Sequence, residues 1–574
     1  MNYKLANGII ILVCATGLLL ARSPVLAVEP VSANRLLPPE VAFYVTIPNV
    51  SDLKERWKKS LYGEMYSDEA LVDFWKDVGK QLGQFSDKFK EQIGVTLDDL
   101  LQLPSDEVSF AIVNPSSQSM AAITLLNFGE NKVTIETLLK KATTALDEKG
   151  AKRSTEEFDD TKIIVYTFEK DAENTSVGSD WKLAYFIKDS TIVIASSVPA
   201  LEAILARWDG KHPKTFADDE VYQYIVQRCR SDESTPLLTW YANPMGLLHG
   251  IIDAAGPQAF QAQMVKGLLP ALGISQLRAV GGSFDIASGN YESISRAQAY
   301  IQFPTTGVLN VFQCPATVQS PPKWVTADTT AYFGMNWDIQ GAYLAIKALV
   351  DQFKGPGSFT KMLEGLAIEE SGQNLHLKKD VIDQLSGKAH FITITPESDE
   401  LHNERFLFAL EVTNIVKMKR VLAVMTKTPG FRGNAREFRG ETIYEVQSAI
   451  ANAGIQTIGI AVTNGHLMLA SDVTTIEQIV RGDSDRQSLV DSDDYRKITR
   501  HFPSKTSVLA YQKQQLKIKQ NYERLRSVEN NKLIPGIDFT KLPPFVVVQK
   551  YLQSSGSYII PDRRGVSFVS FSLR

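Results

Sequence analysis

Residues Thr191–Leu205 read TIVIASSVPALEAIL, and Leu467–Val480 read LMLASDVTTIEQIV. Each begins with a run of apolar and β-branched residues, turns at a serine (Ser196, Ser471) and continues into a stretch of helical length. Runs of this size predict strands, and the stretch beyond the turn predicts a helix. Pro199 falls in the first helical turn, where a missing N–H has no partner to lose, and Asp472 takes the capping neighbourhood in the second copy. One strand, turn and helix written twice points to an internally repeated chain.

The unit has companions in the same order. EVAFYVTIPN from Glu40 resembles TTAYFGMNWD from Thr329, ITLLNFGENKVTIETLL from Ile123 lies against FLFALEVTNIVKMKRVL from Phe406, and GSFDI from Gly282 echoes GSYII from Gly556. Along the chain the partners stand 289, 283, 275 (Ser196 against Ser471) and 274 positions apart. Accidental matches would scatter, whereas duplication followed by loop deletions in the second copy gives a steady decline.

Each copy opens on a strand (Ala42–Ile47; Ala331–Met335). In the first copy Leu71, Phe74, Trp75, Val78, Leu82, Phe85 and Phe89 recur every three or four residues, which predicts a long helix from Asp68 to Ile93 with Ser67 as its cap. DDLLQLPSDEVSFAIV from Asp98 and KDVIDQLSGKAHFITI from Lys379 read as a helical turn entering a strand. A helix (Thr134–Leu146) and strands at Lys162–Phe168, Leu183–Ile187 and Thr191–Ala195 follow, and Leu237–Tyr241 and Ser507–Tyr511 are the closing strands. Final hairpins turn at Ser288-Gly289-Asn290 and at Pro561-Asp562. Strands and helices are mixed without strict alternation, so the expected fold is α+β: a tandem duplication of a mixed, mostly antiparallel sheet module with packed helices. The expected boundaries are a signal peptide at 1–27, a first repeat at 36–303, a linker at 304–322 and a second repeat at 323–574.

The N-terminus sets the expected compartment. Lys4, an apolar run from Ile9 to Ala21, and Val25-Leu26-Ala27 have the form of an export signal cleaved after Ala27. The run stops at Arg22, short of the roughly 18–20 residues that span a bilayer, and Val13 before Cys14 argues against a lipid anchor. Residues 1–27 hold two cations and no acid, so export makes the net charge of −4 two units more negative. A mildly acidic chain without a basic stripe is not expected to bind nucleic acid, and no later segment is expected to anchor it in a membrane. Cys229 and Cys314 remain after cleavage and form a candidate disulfide, their alternative being two idle thiols.

No reactive motif emerges. The chain lacks HExxH, GxSxG and Walker-type patterns, and it has no close Cys/His spacing for zinc. Of seven histidines, only His390 and His466 fall in or beside strand cores, with Ser109 and either Ser190 or Thr191 as first-copy counterparts; solvent-facing strand positions are expected for both. The acidic stretches FADDEVYQYI from Phe216 and VDSDDYRKIT from Val490 read as helix N-termini rather than as a calcium loop, although Asp483, Asp485, Asp491, Asp493 and Asp494 crowd together. GPGSFTK from Gly355 reads as a helix-breaking loop, Glu156-Glu157 and Asp159-Asp160 as a solvated loop, and Asn49-Val50-Ser51 and Asn174-Thr175-Ser176 as chance glycosylation triplets. No catalytic, cofactor-binding or metal-binding residue is assigned.

LLPPEVAFYVTIPNVSDLKERWKKSLYGEM, followed by SDEALVDFWKDVGKQL, resembles the start of exported bacterial proteins in a family known only as a domain of unknown function. Asn49 replaces the acid usual in that family's opening turn, and Ser67-Asp68-Glu69 stands where its later "GxLxxDP" segment falls. The resemblance covers about the first hundred residues and implies export and a bacterial origin, without chemistry. The expected function is that of an exported, non-catalytic envelope protein that binds a protein, a surface polymer or a lipid. The alternatives are a periplasmic carrier of an apolar ligand beneath the helix from Asp68 to Ile93, and a hydrolase with an unfamiliar site. An outer-membrane barrel is not expected, because the helices leave too few consecutive strands. The sequence fixes no oligomeric state.

Overall fold

The computed structural model describes residues 31–93, 95–96, 106–114, 120–168, 181–231, 235–254, 260–364, 368–370, 373–395, 404–426, 433–447, 457–482, 486–527 and 536–574. In chain order the first ten strands are β1 (Val41–Ile47), β2 (Val108–Val113), β3 (Ala121–Asn127), β4 (Lys152–Phe158), β5 (Thr161–Phe168), β6 (Trp181–Lys188), β7 (Thr191–Ala195), β8 (Leu238–Ala242), β9 (Leu277–Ser288) and β10 (Tyr291–Ile301). The remainder are β11 (Thr329–Asn336), β12 (Ile368–Glu370), β13 (Gln373–Leu375), β14 (Leu385–Ile394), β15 (Arg405–Val412), β16 (Gly433–Phe438), β17 (Glu441–Gln447), β18 (Thr457–Thr463), β19 (His466–Ala470), β20 (Val508–Gln512), β21 (Ser555–Asp562) and β22 (Gly565–Leu573). β12 and β13 form a hairpin of their own, and the others join in one sheet of 20 strands.

From edge to edge this sheet runs β4, β5, β6, β7, β3, β2, β1, β8, β9, β10, then β22, β21, β20, β11, β14, β15, β19, β18, β17, β16, and every pairing is antiparallel. With helices on both faces, the fold is α+β. Its centre is the β10–β22 pair, running from Tyr291 opposite Leu573 to Tyr300 opposite Gly565. Outward from that pair, both sides have the same succession of neighbours. Both outermost strands, KRSTEEF in β4 and GNAREF in β16, are exposed and carry charges, which discourages further strands from adding to the edges. Glu156 and Glu157, expected in a loop, therefore lie in an edge strand, and only Asp159 and Asp160 form the turn, both at positive φ.

Strand pairing assigns equivalent positions. Ser196 and Ser471 coincide: the hydroxyl of Ser196 accepts from Ala122 N and that of Ser471 from Phe406 N, each at 3.0 Å, and each serine N–H donates back to the same residue. Tyr44 faces Tyr241 and Ala111, and Tyr332 faces Tyr511 and Ile392, so Tyr44 corresponds to Tyr332. Letter matching sets Tyr44 against Phe333 instead. Adjacent aromatics satisfy either alignment in letters, but a one-residue slip exchanges the two faces of a strand. Likewise Gly556 corresponds to Gly281 and not to Gly282. A Cβ on Gly281 would stand 2.8 Å from Ile225 and one on Gly556 2.5 Å from Ile498, so both glycines let a helix (Glu220–Cys229; Asp493–Thr499) rest directly on the sheet.

Those helices, with Val198–Leu205 and Val473–Arg481, cover one face. From them Tyr222 meets Tyr44 and Tyr241 of the sheet edge to face at 6.1 and 5.9 Å, as Tyr495 meets Tyr511 at 5.4 Å. Each such pair adds about 0.5–1.5 kcal/mol to the burial of its rings, which fixes the two main cores. The other face carries Val50–Lys59, Lys132–Glu148 and Pro244–Ala254 on one half and Ile339–Lys354, Ile415–Met425 and Gln514–Arg526 on the other.

The helix Val72–Ile93 links the halves. Leu71, Phe74 and Trp75 pack with Phe539, Leu542 and Phe545, Asp77 pairs with Lys541 at 2.6 Å, and Asp68 accepts from Tyr551 at 2.6 Å. The start of the apolar stripe is thus an interior contact; the side chains of Phe85 and Phe89 lie outside the described ones. Asp68, not Ser67, caps this region by accepting from Ala70 N, because Ser67 still has the conformation of the preceding helix. The last hairpin turns at Arg563-Arg564, since β21 continues through Asp562. No helix among the described residues is long and apolar enough to cross a membrane.

Candidate functional site

A group of buried polar side chains lies on the face of the second half covered by Val473–Arg481. β14 places His390 opposite Ala409 of β15, and β19 places His466 opposite Glu411 of the same strand. The two imidazoles reach each other past the small Ala409, with centroids 5.3 Å apart, and both residues are 6% exposed. Sequence reasoning expects them to face solvent. Their burial follows from the strand order, which sets both on the covered face with only β15 between them.

Trp324, from the segment before β11, stands edge-on to both rings, 5.3 Å from His466 and 6.3 Å from His390. Tyr332 Oη lies 2.8 Å from His390 Nδ1, and His466 Nδ1 lies 2.7 Å from the Asn464 carbonyl. A carbonyl only accepts, so the proton of neutral His466 is on Nδ1 and its Nε2 is a bare lone pair. That atom is buried and has no partner among the described residues, and neither has the Trp324 indole N–H.

Burial, reinforced by the neighbouring His466, pushes His390 down to about 4, and burial lowers His466 as well. Burial raises Glu411, but the Ser386 hydroxyl at 2.6 Å and Lys388 at 3.4 Å outweigh it and hold the carboxyl below its usual range. At neutral pH the cluster therefore presents two uncharged imidazoles beside an ion pair. It can accept or donate hydrogen bonds, and His390 is a weak base. Among the described residues no three His, Cys, Asp or Glu side chains converge to hold a metal ion.

The corresponding place in the first half is filled differently. Ser109 and Thr191 occupy the positions of His390 and His466, and Leu125 stands where Ala409 does. Glu107 there accepts from Ser109 Oγ at 2.7 Å, Thr46 Oγ1 at 3.0 Å and Ala33 N at 3.1 Å. A serine and a leucine on one side are exchanged for a histidine and an alanine on the other, with similar combined bulk.

On the opposite face, Phe333, Phe391 and Phe408 stand directly across from one another on β11, β14 and β15, and they are 38%, 41% and 38% exposed. Phe406 stacks on Phe391 at 6.0 Å. Their first-half positions hold Val45, Phe110 and Thr124, and Phe110 is only 4% exposed. There, Ile135 and Leu138 of Lys132–Glu148 pack on Val108, Leu126 and Ile192 of the same face. That helix has 17 residues, whereas Ile415–Met425, which follows the equivalent strand, has 11.

Other candidates sit apart. Cys229 and Cys314 are free thiols; burial pushes Cys229 up to about 12 and also raises Cys314. Asp219 caps Glu220–Cys229 and Ser492 caps Asp493–Thr499, while Asp491 pairs with Arg496 at 2.6 Å; Asp483 and Asp485 lie outside the described residues. Gly355 and Gly357, both at positive φ, lead into the helix Ser358–Glu364. Asn49 caps Val50–Lys59 by accepting from Asp52 N, and Asn174-Thr175-Ser176 lies outside the described residues. Sequence reasoning missed Trp324 and the phenylalanine row. The row had a signal: AYFGM and FLFAL are apolar at successive residues and HFITI at three of five, close to the pattern of strands covered on both faces. No protein-family model, curated protein or solved structure was found to match the chain.

Proposed function

We propose that this chain is an exported, non-catalytic envelope protein, built by tandem duplication, that binds a protein or cell-surface partner through the open phenylalanine row of its second half. The observation that carries this reading is the register of Phe333, Phe391 and Phe408, three large apolar side chains adjacent on neighbouring strands and part-exposed together. Scattered exposed apolar residues are ordinary, but aligned aromatics form a surface that a partner can dehydrate. The leader through Ala27 and the resemblance of the first hundred residues to an exported bacterial family support export. The shared strand succession, the matching bonds of Ser196 and Ser471, and the paired glycines Gly281 and Gly556 support the duplication, with 36–303 and 323–574 as copies joined by 304–322.

The test is a photo-crosslinking residue in place of Phe391, expressed in the native host, with adducts from the envelope fraction identified by mass spectrometry. The expected product is a chain beginning at Val28 that carries one dominant adduct, lost when Phe333 and Phe408 are both replaced by serine. A chain that keeps its leader in the cytoplasm, or one that forms no adduct at this position in the envelope, would overturn the proposal.

A further inference from the structure

The phenylalanine row continues past β11 into the centre of the sheet. Followed by strand pairing, Phe333 stands opposite Ala510, Ala510 opposite Ser557, Ser557 opposite Ser570, Ser570 opposite Ser295 and Ser295 opposite Phe284. Phe284 is 37% exposed, as open as Phe333, and the three serines and the alanine between them are part-exposed. Five strand spacings separate these two rings, about 24 Å, and Phe391 and Phe408 extend the line by two more. In the next row, two residues along each strand, Gly282, Ala297 and Phe568 lie side by side. Phe568 is part-exposed, and the Trp240 indole lies over Gly282, where a Cβ would stand 3.0 Å from its Nε1.

Helical segments bank this line on both sides. On one, Leu61–Tyr66 packs on Gln549–Tyr551 and meets the sheet through Tyr62 Oη, which donates to Ser293 Oγ at 3.4 Å. On the other, Ile274–Gln276 packs on Gly307–Asn310, and that turn packs on Ile339–Lys354. The floor between them is a trough of small residues with aromatic rings towards its ends. Ser557 and Ser570 share one hydrogen bond of 2.8 Å, so one of the two hydroxyls keeps its own O–H to donate elsewhere. Of the whole chain 22% is charged, yet no residue of either row from β9 to β15 is, so the floor matches an uncharged occupant. Spacing narrows the choice. The serines recur on successive strands about 4.8 Å apart, whereas an extended peptide presents the same face every second residue, about 6.7 Å apart, and falls out of step. One pyranose of an extended β-1,4-linked chain rises by close to one strand spacing.

We propose that this trough binds an uncharged, extended β-1,4-linked polysaccharide, which names the partner of the phenylalanine row and rests on that reading. Sugar hydroxyls bond to Ser295, Ser570 and Ser557. The C–H faces of the sugar rings, which carry partial positive charge, stack on the negative faces of Phe284, Phe333 and Phe391. The sheet's twist turns the trough about its own length, and a glycan follows such a turn by rotation about its glycosidic bonds.

The test is calorimetric titration of the mature full-length chain at pH 6 with two neutral hexasaccharides, cellohexaose and chitohexaose, and with the cationic, deacetylated chitosan hexamer as the charged comparison. At least one neutral hexasaccharide should saturate a single site, with its trisaccharide and the charged hexamer each at least about tenfold weaker. Phe284→Ser, in the half that the crosslinking experiment leaves untouched, and Phe391→Ser should each keep the thermal unfolding transition, because both rings are part-exposed, and each should lose about tenfold in affinity. Absence of saturable binding of both neutral hexasaccharides, or undiminished binding by Phe284→Ser, would overturn the inference. A protein adduct at Phe391 alongside either result would leave the partner surface standing with a different occupant. Sugar binding that Phe391→Ser does not weaken would overturn the role of the row and this inference together.

Discussion

Acidification should weaken this protein through His390 in a way that a single substitution isolates. Burial holds His390 at about 4 in the folded chain, against about 6.5 for an exposed imidazole in the unfolded chain. Above pH 6.5 both states are neutral and the residue contributes no pH dependence. As pH falls from 6.5 towards 4, the unfolded chain takes up the proton first, so folding stability is lost across that window. At 1.36 kcal/mol for each tenfold difference in proton affinity, the full loss is about 3 kcal/mol. His466 acts in the same direction, since burial lowers it too. The assay is urea unfolding of the mature chain at pH values from 7.5 to 4, compared with His390→Ser, which installs the first half's Ser109. The variant gives up the Tyr332 contact at 2.8 Å, a loss of about 1 kcal/mol that is the same at every pH. Carboxylates titrating near pH 4 are common to both proteins and cancel in the difference. The unaltered chain should therefore lose about 3 kcal/mol more than the variant over this range. Parallel pH profiles for the two proteins would refute the buried, neutral imidazole.

Phe391→Ser should change stability by less than about 1 kcal/mol because the ring is already part-exposed, whereas Phe110→Ala at the equivalent, covered position should cost about 3–5 kcal/mol by the same urea assay. Ser196→Ala and Ser471→Ala each leave a strand N–H without its side-chain partner, so each should cost about 1–3 kcal/mol, equal within error; a large inequality would argue against equivalent sites. Ala409→Leu should drive a large side chain into the wholly buried space beside His390 and cost about 1–3 kcal/mol. Adding His390→Ser to that variant rebuilds the first-half pair of Ser109 and Leu125 and should recover most of the loss, a coupling read from the double-mutant cycle.

Much of the fold was legible because strands and their turns are local. TIVIA became β7 at Thr191–Ala195, Pro199 sits in the first turn of the helix that follows, and Asp472 accepts from Thr475 N at 2.8 Å as a cap should. Register was less legible. Phe43-Tyr44 and Tyr332-Phe333 align equally well in either phase as letters, and only the partners across the sheet show which ring is buried. Gly281-Gly282 poses the same ambiguity against Gly556. There the approach of Ile225 and Ile498 settles it, and both isoleucines come from helices more than 50 residues away in sequence.

The histidine cluster and the phenylalanine row were hidden for a related reason. His390 and His466 are separated along the chain by a strand, a helix and a three-stranded excursion, yet β15 alone divides them in the sheet. What lets them touch is neither histidine but Ala409, a residue with no chemistry of its own. At its equivalent, Leu125 fills the space and Ser109 suffices. The phenylalanine row is likewise written in what lies above it: the strands are as apolar as covered strands are, and the following helix is 11 residues long where the other half has 17. In a chain whose halves share one strand order, position by position comparison separates the residues that maintain the sheet from those free to diverge. Tyr44 with Tyr332, Tyr241 with Tyr511 and Ser196 with Ser471 belong to the first kind. Val41 with Thr329, Leu36 with Trp324 and Phe110 with Phe391 belong to the second. In all three of the latter pairs the second half has, among the described residues, unpartnered polar atoms or a part-exposed ring where the first half has buried apolar side chains, an arrangement that packing alone does not favour.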